Sequence, residues 1–326
     1  MPVTEFELIQ RYFSRIGKPR TDVALGIGDD AALLNPPAGQ QLVIATDTLV
    51  QGVHFPTNTL PYYIGWKALA VNLSDLAAMG AEPAWFTLAL TLPESSDAWL
   101  TEFSRGLFDL ADKYGLSLVG GDTTRGPLTV TVQIAGYMPT GQALLRVGAG
   151  PGDRIFVTGS LGDATLALQL LTDQLPVPAQ NYPGLLKRLN QPQPRIEEGR
   201  ALRGIASCAI DISDGLLADL QHMLDASDIG AEIYLQQIPY STQARQLLSR
   251  YPDIRNSLLS GGDDYELCFC VAPDKLQRLE QIAAENQFQF TEIGQVSDSK
   301  ELRCLDAAGR AVEIDTRGYT HFAKEK

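Results

Sequence analysis

The chain has 326 residues, 44% of them hydrophobic and 20% charged, with a net charge of -13. That length favours two domains over one core, and the composition is that of an ordinary globular protein. The acidic balance argues against a nucleic-acid binder, which needs a basic footprint, but allows a phosphate ligand if metal ions reverse the local sign. Four cysteines without a CxxC pair, beside three histidines, argue against a zinc site. No basic segment leads into an apolar core with a cleavage site, and no run is long enough to span a bilayer. A cytoplasmic protein with no membrane partner is expected.

In chain order, Phe6, Ile9, Tyr12, Phe13 and Ile16 predict a helix over 4–16. A short buried strand over 42–46 is expected to end at Asp47. Pro61 suits a helix start, and Trp66, Leu69, Leu73, Leu76 and Ala77 form one apolar stripe running to Gly80. A strand over 84–92, a helix over 97–114 and strands over 116–119 and 128–137 follow. The glycine- and proline-rich stretch 139–153 marks a domain boundary. Beyond it a strand over 154–158 and a helix over 163–171 precede a proline-rich segment. Helices over 196–206 and 214–226, strands over 231–235 and 265–271, and a helix over 274–286 complete the reading. Cys268 and Cys270 share one face of their strand, as buried free thiols. Alternating strands and helices define an α+β (mixed α/β) class with mixed sheets.

Acidic residues recur at the ends of apolar runs, beside glycine or a hydroxyl residue: Gly-Ile-Gly-Asp29-Asp30, Thr46-Asp47-Thr48, Asn72-Leu-Ser-Asp75, Gly121-Asp122-Thr-Thr, Asp211-Ile-Ser213-Asp214-Gly and Gly-Gly-Asp263-Asp264. Gathered carboxylates repel, by about 4 kcal/mol per pair at 4 Å and an effective dielectric of 20, so a fold that collects them needs cations. Hard oxygen donors favour Mg²⁺, an ion that usually accompanies substrate phosphates. Asp47 and Asp122 each follow an apolar strand, which places them beyond the sheet edge, where ligands gather; a turn or helix N-cap is the structural alternative. Asp29-Asp30 is a metal-facing loop or an Asx-turn. Asp75 flanks a packed helix face and needs a partner, either a cation or a salt bridge. Asp211 to Gly215 precede a helix whose N-terminal N–H groups could meet phosphate while the carboxylates hold metal.

His54 is a lone histidine, more often structural than catalytic. Arg146, in the glycine-rich boundary, is either a phosphate contact or an exposed hinge residue. There is no Walker loop, no kinase H-R-D or D-F-G set and no G-x-S-x-G elbow. Gly26-Ile-Gly28-Asp-Asp-Ala31 matches a dinucleotide fingerprint, but its aspartates sit where a pyrophosphate would approach.

Those acidic motifs, with Lys-Ala-Leu-Ala-Val-Asn-Leu-Ser-Asp-Leu-Ala-Ala-Met-Gly-Ala and Ser-Gly-Gly-Asp-Asp-Tyr-Glu-Leu, resemble the thiamine-monophosphate kinase family, in order and at matching spacing from about residue 5 to Tyr319. The resemblance implies ATP-dependent phosphorylation of thiamine monophosphate and a two-domain PurM-like architecture. It implies an ATP/Mg²⁺-binding and dimerisation domain over 1–140, whose mixed sheet forms a homodimer interface, and a C-terminal α/β domain over 150–326. Asp30, Thr46, Asp47, Asp75, Asp122, Asp211 and Asp214 fall at Mg²⁺-ligand positions, with Asp47, Asp122 and Asp214 central to catalysis. Gly121, Asp122, Arg146 and Ser213 fall at ATP contacts; His54, Asp263 and Tyr319 fall at substrate contacts. Asp263 stands where this family often has Glu, which shortens its reach. The absence of cysteine before 208 disfavours the related selenophosphate synthetases, and the ending Ala-Lys-Glu-Lys disfavours the dehydratase relatives. A purine-pathway synthetase of the same architecture and a non-catalytic acidic metal-binding protein remain as alternatives.

Overall fold

The computed structural model describes residues 5–14, 20–314 and 318. The chain falls into two compact units, Met1–Leu76 with Ala81–Gly141, and Ala77–Gly80 with Gln142–Lys326.

The first unit contains α1 (Glu5–Leu8, continued by a π-helical turn, Ile9–Phe13), the short antiparallel pair β1 (Val23–Leu25) and β2 (Leu33–Leu34), β3 (Gln40–Val50), α2 (Pro61–Ala78), β4 (Glu82–Leu92), α3 (Asp97–Lys113), β5 (Ser117–Arg125) and β6 (Thr129–Pro139). Its sheet has the order β3-β6-β4-β5, parallel only between β4 and β5. Val130, Val132, Ile134, Phe86, Leu88 and Leu90 point inward and are buried. Ser96 caps α3 by accepting the Trp99 N–H, with Asp97 in the first turn and Lys113 in the last, so both helix ends are electrostatically matched. Helix α2 is not one apolar stripe: nearly all of it from Ile64 to Ala78 is buried, Lys67, Asn72 and Ser74 included.

The other sheet face is covered at one end by Trp85, Val119, Ala135 and Tyr137, against which Val23 and Leu34 of the β1–β2 pair pack. The rest is open, with Leu42 and Ile44 exposed by 41% and 55%. Strand β3 is therefore neither short nor buried, and it does not end at Asp47. Its period of two continues through Thr48 and Val50, with Leu49 turned inward. Strand β5 likewise extends to Arg125 rather than stopping at Val119.

The second unit holds β7 (Arg154–Thr158), α4 (Asp163–Leu171), α5 (Pro183–Asn190), α6 (Ile196–Ala201), β8 (Ala206–Asp211), α7 (Leu216–Ser227), β9 (Gly230–Tyr234), α8 (Thr242–Arg250), α9 (Arg255–Ser260), β10 (Leu267–Val271), α10 (Leu276–Asn286), β11 (Phe290–Ser297), β12 (Leu302–Leu305) and β13 (Ala311–Val312). The sheet order is β13-β12-β9-β11-β7-β10-β8, antiparallel except between β12 and β9. Its larger core joins Ile155, Val157, Cys208, Ile210, Cys268 and Cys270 to α4, α5, α7, α8 and α9. All four cysteines are free and buried, with Cys268 and Cys270 on the core face. On the opposite face, Phe269 stacks on Phe156 and meets Phe290 edge-on. The helix expected over 196–206 stops at Ala201, and a strand follows Gly204, whose φ of +70° breaks helical continuation. Elements α5, α8, α9, β11, β12 and β13 were not among the expected ones, being short or polar on one side.

Candidate active site

In the first unit, Asp47 and Asp122 lie inside strands, not beyond their ends. Asp47 pairs in register with Val132 and faces the helices, where Asn72 Oδ1 accepts its main-chain N–H at 3.1 Å. Asn72 is fully buried and donates to Ala68 O at 3.0 Å, so its amide is oriented from both ends. Asp122 shares a row with Ala89, Thr131 and Thr48 on the open face. Thr48 and Thr131 hydrogen-bond across that row at 2.9 Å, and Thr46 points from the same face. As β3 and β5 are the two edges of this sheet, Asp47 and Asp122 stand three strand spacings apart, about 14 Å. The sheet does not bring them together.

Gly121 faces the neighbouring strand, and a Cβ there would stand 1.9 Å from the Leu88 carbonyl oxygen. Glycine is thus required by the close approach of β5 to β4. Asp30 is exposed, and its N–H donates to Asp29 Oδ1 at 2.8 Å, so the first acidic pair is self-bonded as an Asx arrangement. Asp75 is half-buried on α2. His54 Nδ1 accepts the Val50 N–H at 2.9 Å, which leaves the ring proton on Nε2. Its carbonyl receives the buried Lys67 ammonium at 3.3 Å.

In the second unit, two acidic loops are laced together. Asp211 ends β8 and pairs with Leu267, and the ladder continues beyond both strands: Ile212 N to Glu266 O at 2.8 Å, Tyr265 N to Ile212 O at 2.8 Å and Asp263 N to Ser213 O at 2.9 Å. Gly262 permits this contact, since a Cβ on it would meet Ser213 O at 2.0 Å. Asp263 and Tyr265 both adopt left-handed conformations, φ 71° and 50°, an unfavourable geometry that persists only where surroundings enforce it. Exposed Arg146 runs beside this edge of the sheet, because Leu145 O accepts the Ala209 N–H of β8 at 2.9 Å. Tyr319 lies outside the described residues.

The roles of three acidic residues of this unit were not expected from the sequence, although Asp264 and Glu266 belong to the Ser-Gly-Gly-Asp-Asp-Tyr-Glu-Leu motif. Asp219, 4% exposed, accepts the N–H groups of Ser213, Asp214 and Gly215 on Oδ2, at 2.9, 3.0 and 3.1 Å. These N–H groups are not open to phosphate, contrary to the expectation for this helix start. Burial, then the nearby Asp211 charge, pushes the Asp219 carboxyl up to about 7. Asp264 is buried, and both its oxygens accept the Gly162 N–H, at 3.0 and 2.9 Å; burial raises its pKa well above the ordinary range. Glu266 is fully buried between Arg188 and Arg195, and Thr158 donates to it. Its burial alone would raise its pKa; the charges of Arg195 and Arg188 outweigh that and hold it low. The signal available was spacing: Asp219 falls among Leu216, Leu217 and Leu220 on an apolar helix, where an unpartnered carboxylate is costly.

Every candidate ligand offers oxygen, while the thiols are buried in a core and His54 Nδ1 is committed. Among the described residues, no three His, Cys, Asp or Glu side chains stand close enough to hold an ion between them. An all-oxygen donor set is of the kind Mg²⁺ takes, alongside waters and substrate phosphates, and it forms no closed protein cage among the described residues.

Two family models cover most of the chain: AIR synthase related protein, N-terminal domain, over residues 28–138, and the C-terminal domain over 150–306. The fold and its loops are thus those of an AIR synthase-related protein, a two-domain PurM-like architecture of mixed α/β content. The chain is 51% identical to thiamine-monophosphate kinase of Escherichia coli (strain K12) over 99% of each chain. The crystal structure of thiamine-monophosphate kinase from Stenotrophomonas maltophilia K279a superposes with a TM-score of 0.85 at 47% identity, covering 96% of this chain and 99% of that one. AaThiL complexed with AMPPCP and TMP gives 0.77 at 30% identity, covering 98% and 97%. The chain belongs to the thiamine-monophosphate kinase family.

Proposed function

We propose that this protein uses ATP to phosphorylate thiamine monophosphate to thiamine diphosphate, by direct in-line transfer of the γ-phosphoryl group. One observation carries the reading: a relative matching nearly the whole chain is complexed with AMPPCP and TMP, a nucleotide analogue and a phosphorylated acceptor together. The acceptor oxygen belongs to a phosphate already ionised at neutral pH, so no strong general base is required. The obstacle is repulsion between two anions, and positioning and charge neutralisation are the tasks left to the protein.

Asp30, Thr46, Asp47, Asp75 and Asp122 of the first unit, and Asp211 and Asp214 of the second, are the proposed Mg²⁺ ligands. Bound Mg²⁺ supplies the positive charge that lets the two phosphates approach and that stabilises the transferring group. Gly121, Asp122, Arg146 and Ser213 contact ATP; Arg146 is exposed along β8 and offers a planar, permanently charged fork. His54, Asp263 and Tyr319 contact the acceptor, His54 through its Nε2–H and Asp263 through its carboxylate towards the thiamine moiety, whose thiazolium ring is cationic. The open sheet face, with exposed Leu42 and Ile44, supports a homodimer formed through the first unit. Four free, buried thiols suit a reducing cytoplasm. Among the described residues no helix is long and apolar enough to cross a membrane.

The test is a product assay with purified protein, ATP, Mg²⁺ and thiamine monophosphate. Stoichiometric thiamine diphosphate and ADP are expected. Transfer only to a non-thiamine acceptor would overturn the reading. Asp122→Asn and Asp47→Asn are expected to lose turnover by orders of magnitude while remaining folded.

A further inference from the structure

Helix α7 opens immediately after two of the proposed cation ligands, and its N-terminal donors are already occupied. Gly215 at the N-cap has no side chain to cap with. Asp219 does that work from inside the first turn, taking three successive N–H groups on one oxygen. Its own N–H donates to Gly215 O at 3.0 Å, which closes the turn and fixes where the carboxylate sits. Successive main-chain N–H groups converging on one point at a helix start form an anion nest of the kind that binds phosphate. Here the anion is part of the chain.

Two physical consequences follow. A phosphate oxygen can reach those donors only by displacing a buried carboxylate, so the nest is closed to substrate. The bonds also fix the peptide planes from which the Ser213 and Asp214 side chains leave, and Asp211, 5% exposed, lies just upstream. Asp211, Asp214 and Asp219 lie along this one short segment, and the Asp219 carboxylate takes up the main-chain donors that would otherwise attract an anion there.

We propose that Asp219 is a positioning residue that fills the anion nest at the start of α7 and so makes the Asp211–Gly215 loop a cation-binding loop instead of a phosphate-binding one. The proposal rests on the assignment of Asp211 and Asp214 as Mg²⁺ ligands. A purely structural cap would stabilise α7 without tuning cation affinity, and the two roles separate experimentally.

The experiment uses the full chain, Asp219→Ala and Asp219→Asn. Mn²⁺ binding to the nucleotide-free protein is read by the electron paramagnetic resonance of free Mn²⁺, alongside melting curves and the Mg²⁺ dependence of turnover. Asp219→Ala is expected to weaken Mn²⁺ binding by about 10- to 100-fold, the usual loss when a group supporting metal ligands is removed. Its Mg²⁺ requirement rises in step, and inorganic phosphate becomes an inhibitor competitive with ATP. Asp219→Asn, which keeps an oxygen acceptor in place but loses the charge, is expected to lose about tenfold. If Asp219→Ala does not fold, the Mn²⁺ affinity of Asp219→Asn decides the matter. Wild-type Mn²⁺ affinity in the folded variant, or a wild type that binds no Mn²⁺, overturns the proposal. A wild type that binds Mn²⁺ but leaves thiamine monophosphate untouched would sink the kinase reading alone.

Discussion

The Tyr265 hydroxyl donates to Asp263 Oδ1 at 2.9 Å, across only two residues, while both residues hold left-handed backbone conformations. The bond turns the Asp263 carboxylate in a fixed direction and ties a proposed substrate contact to a half-anchored aromatic ring. Tyr265→Phe keeps the ring and removes the tether. A hydrogen bond to a charged group contributes about 1.5–3 kcal/mol, so KM for thiamine monophosphate is expected to rise about tenfold, with a smaller change in kcat. Steady-state kinetics at saturating ATP checks this; an unchanged KM would remove Tyr265 from the account.

Gly262 is the point where the two acidic loops of the second unit touch. Gly262→Ala places a methyl group 2.0 Å from Ser213 O and must push the loops apart. Overpacking of this kind costs about 1–3 kcal/mol. A lowered melting temperature with lost turnover is expected, whereas Gly309→Ala, with no atom within 4 Å of its Cβ but a φ of +74°, is expected to cost stability and spare turnover.

The Glu266 ion cluster makes a signed prediction about acid stability. Its folded pKa lies below the ordinary glutamate value, so its contribution is complete above about pH 4.5 and is lost as pH falls through the folded value. Glu266→Gln leaves two arginines without their shared counter-charge, and breaking a buried pair costs about 3–5 kcal/mol. Urea denaturation is expected to show that deficit at pH 7 and a shrinking difference from wild type below pH 4. A pH-independent difference would refute the assignment.

Ligands that bind only the folded state stabilise it. Mg²⁺ with AMPPCP is expected to raise the melting temperature, by linkage equivalent to about 2.7 kcal/mol at 100 times Kd. Differential scanning fluorimetry reads the shift, and a flat response over a wide Mg²⁺ range would count against a nucleotide site.

The longer helices and strands of the first unit, the mixed sheets, the buried thiols and the acidic motifs were legible in the residues, because period, capping and glycine chemistry act over a few positions. Strand β3 shows where that reasoning stops. Its hydrophobic Leu42 and Ile44 look like core residues, and only the pairing with β6 reveals that they line an open face. Asp47 and Asp122 share a local pattern, yet sheet order sends them to opposite edges. Asp264 and Glu266 stand in a motif the sequence displays, but their partners Gly162, Arg188 and Arg195 lie on distant segments, whereas Asp219 bonds only four to six residues back, at Ser213 to Gly215. Local composition chose the ingredients of this protein. Which of its carboxylates are buried against Gly162, Arg188 and Arg195 was decided by hydrogen bonds and ion pairs between residues far apart in the chain.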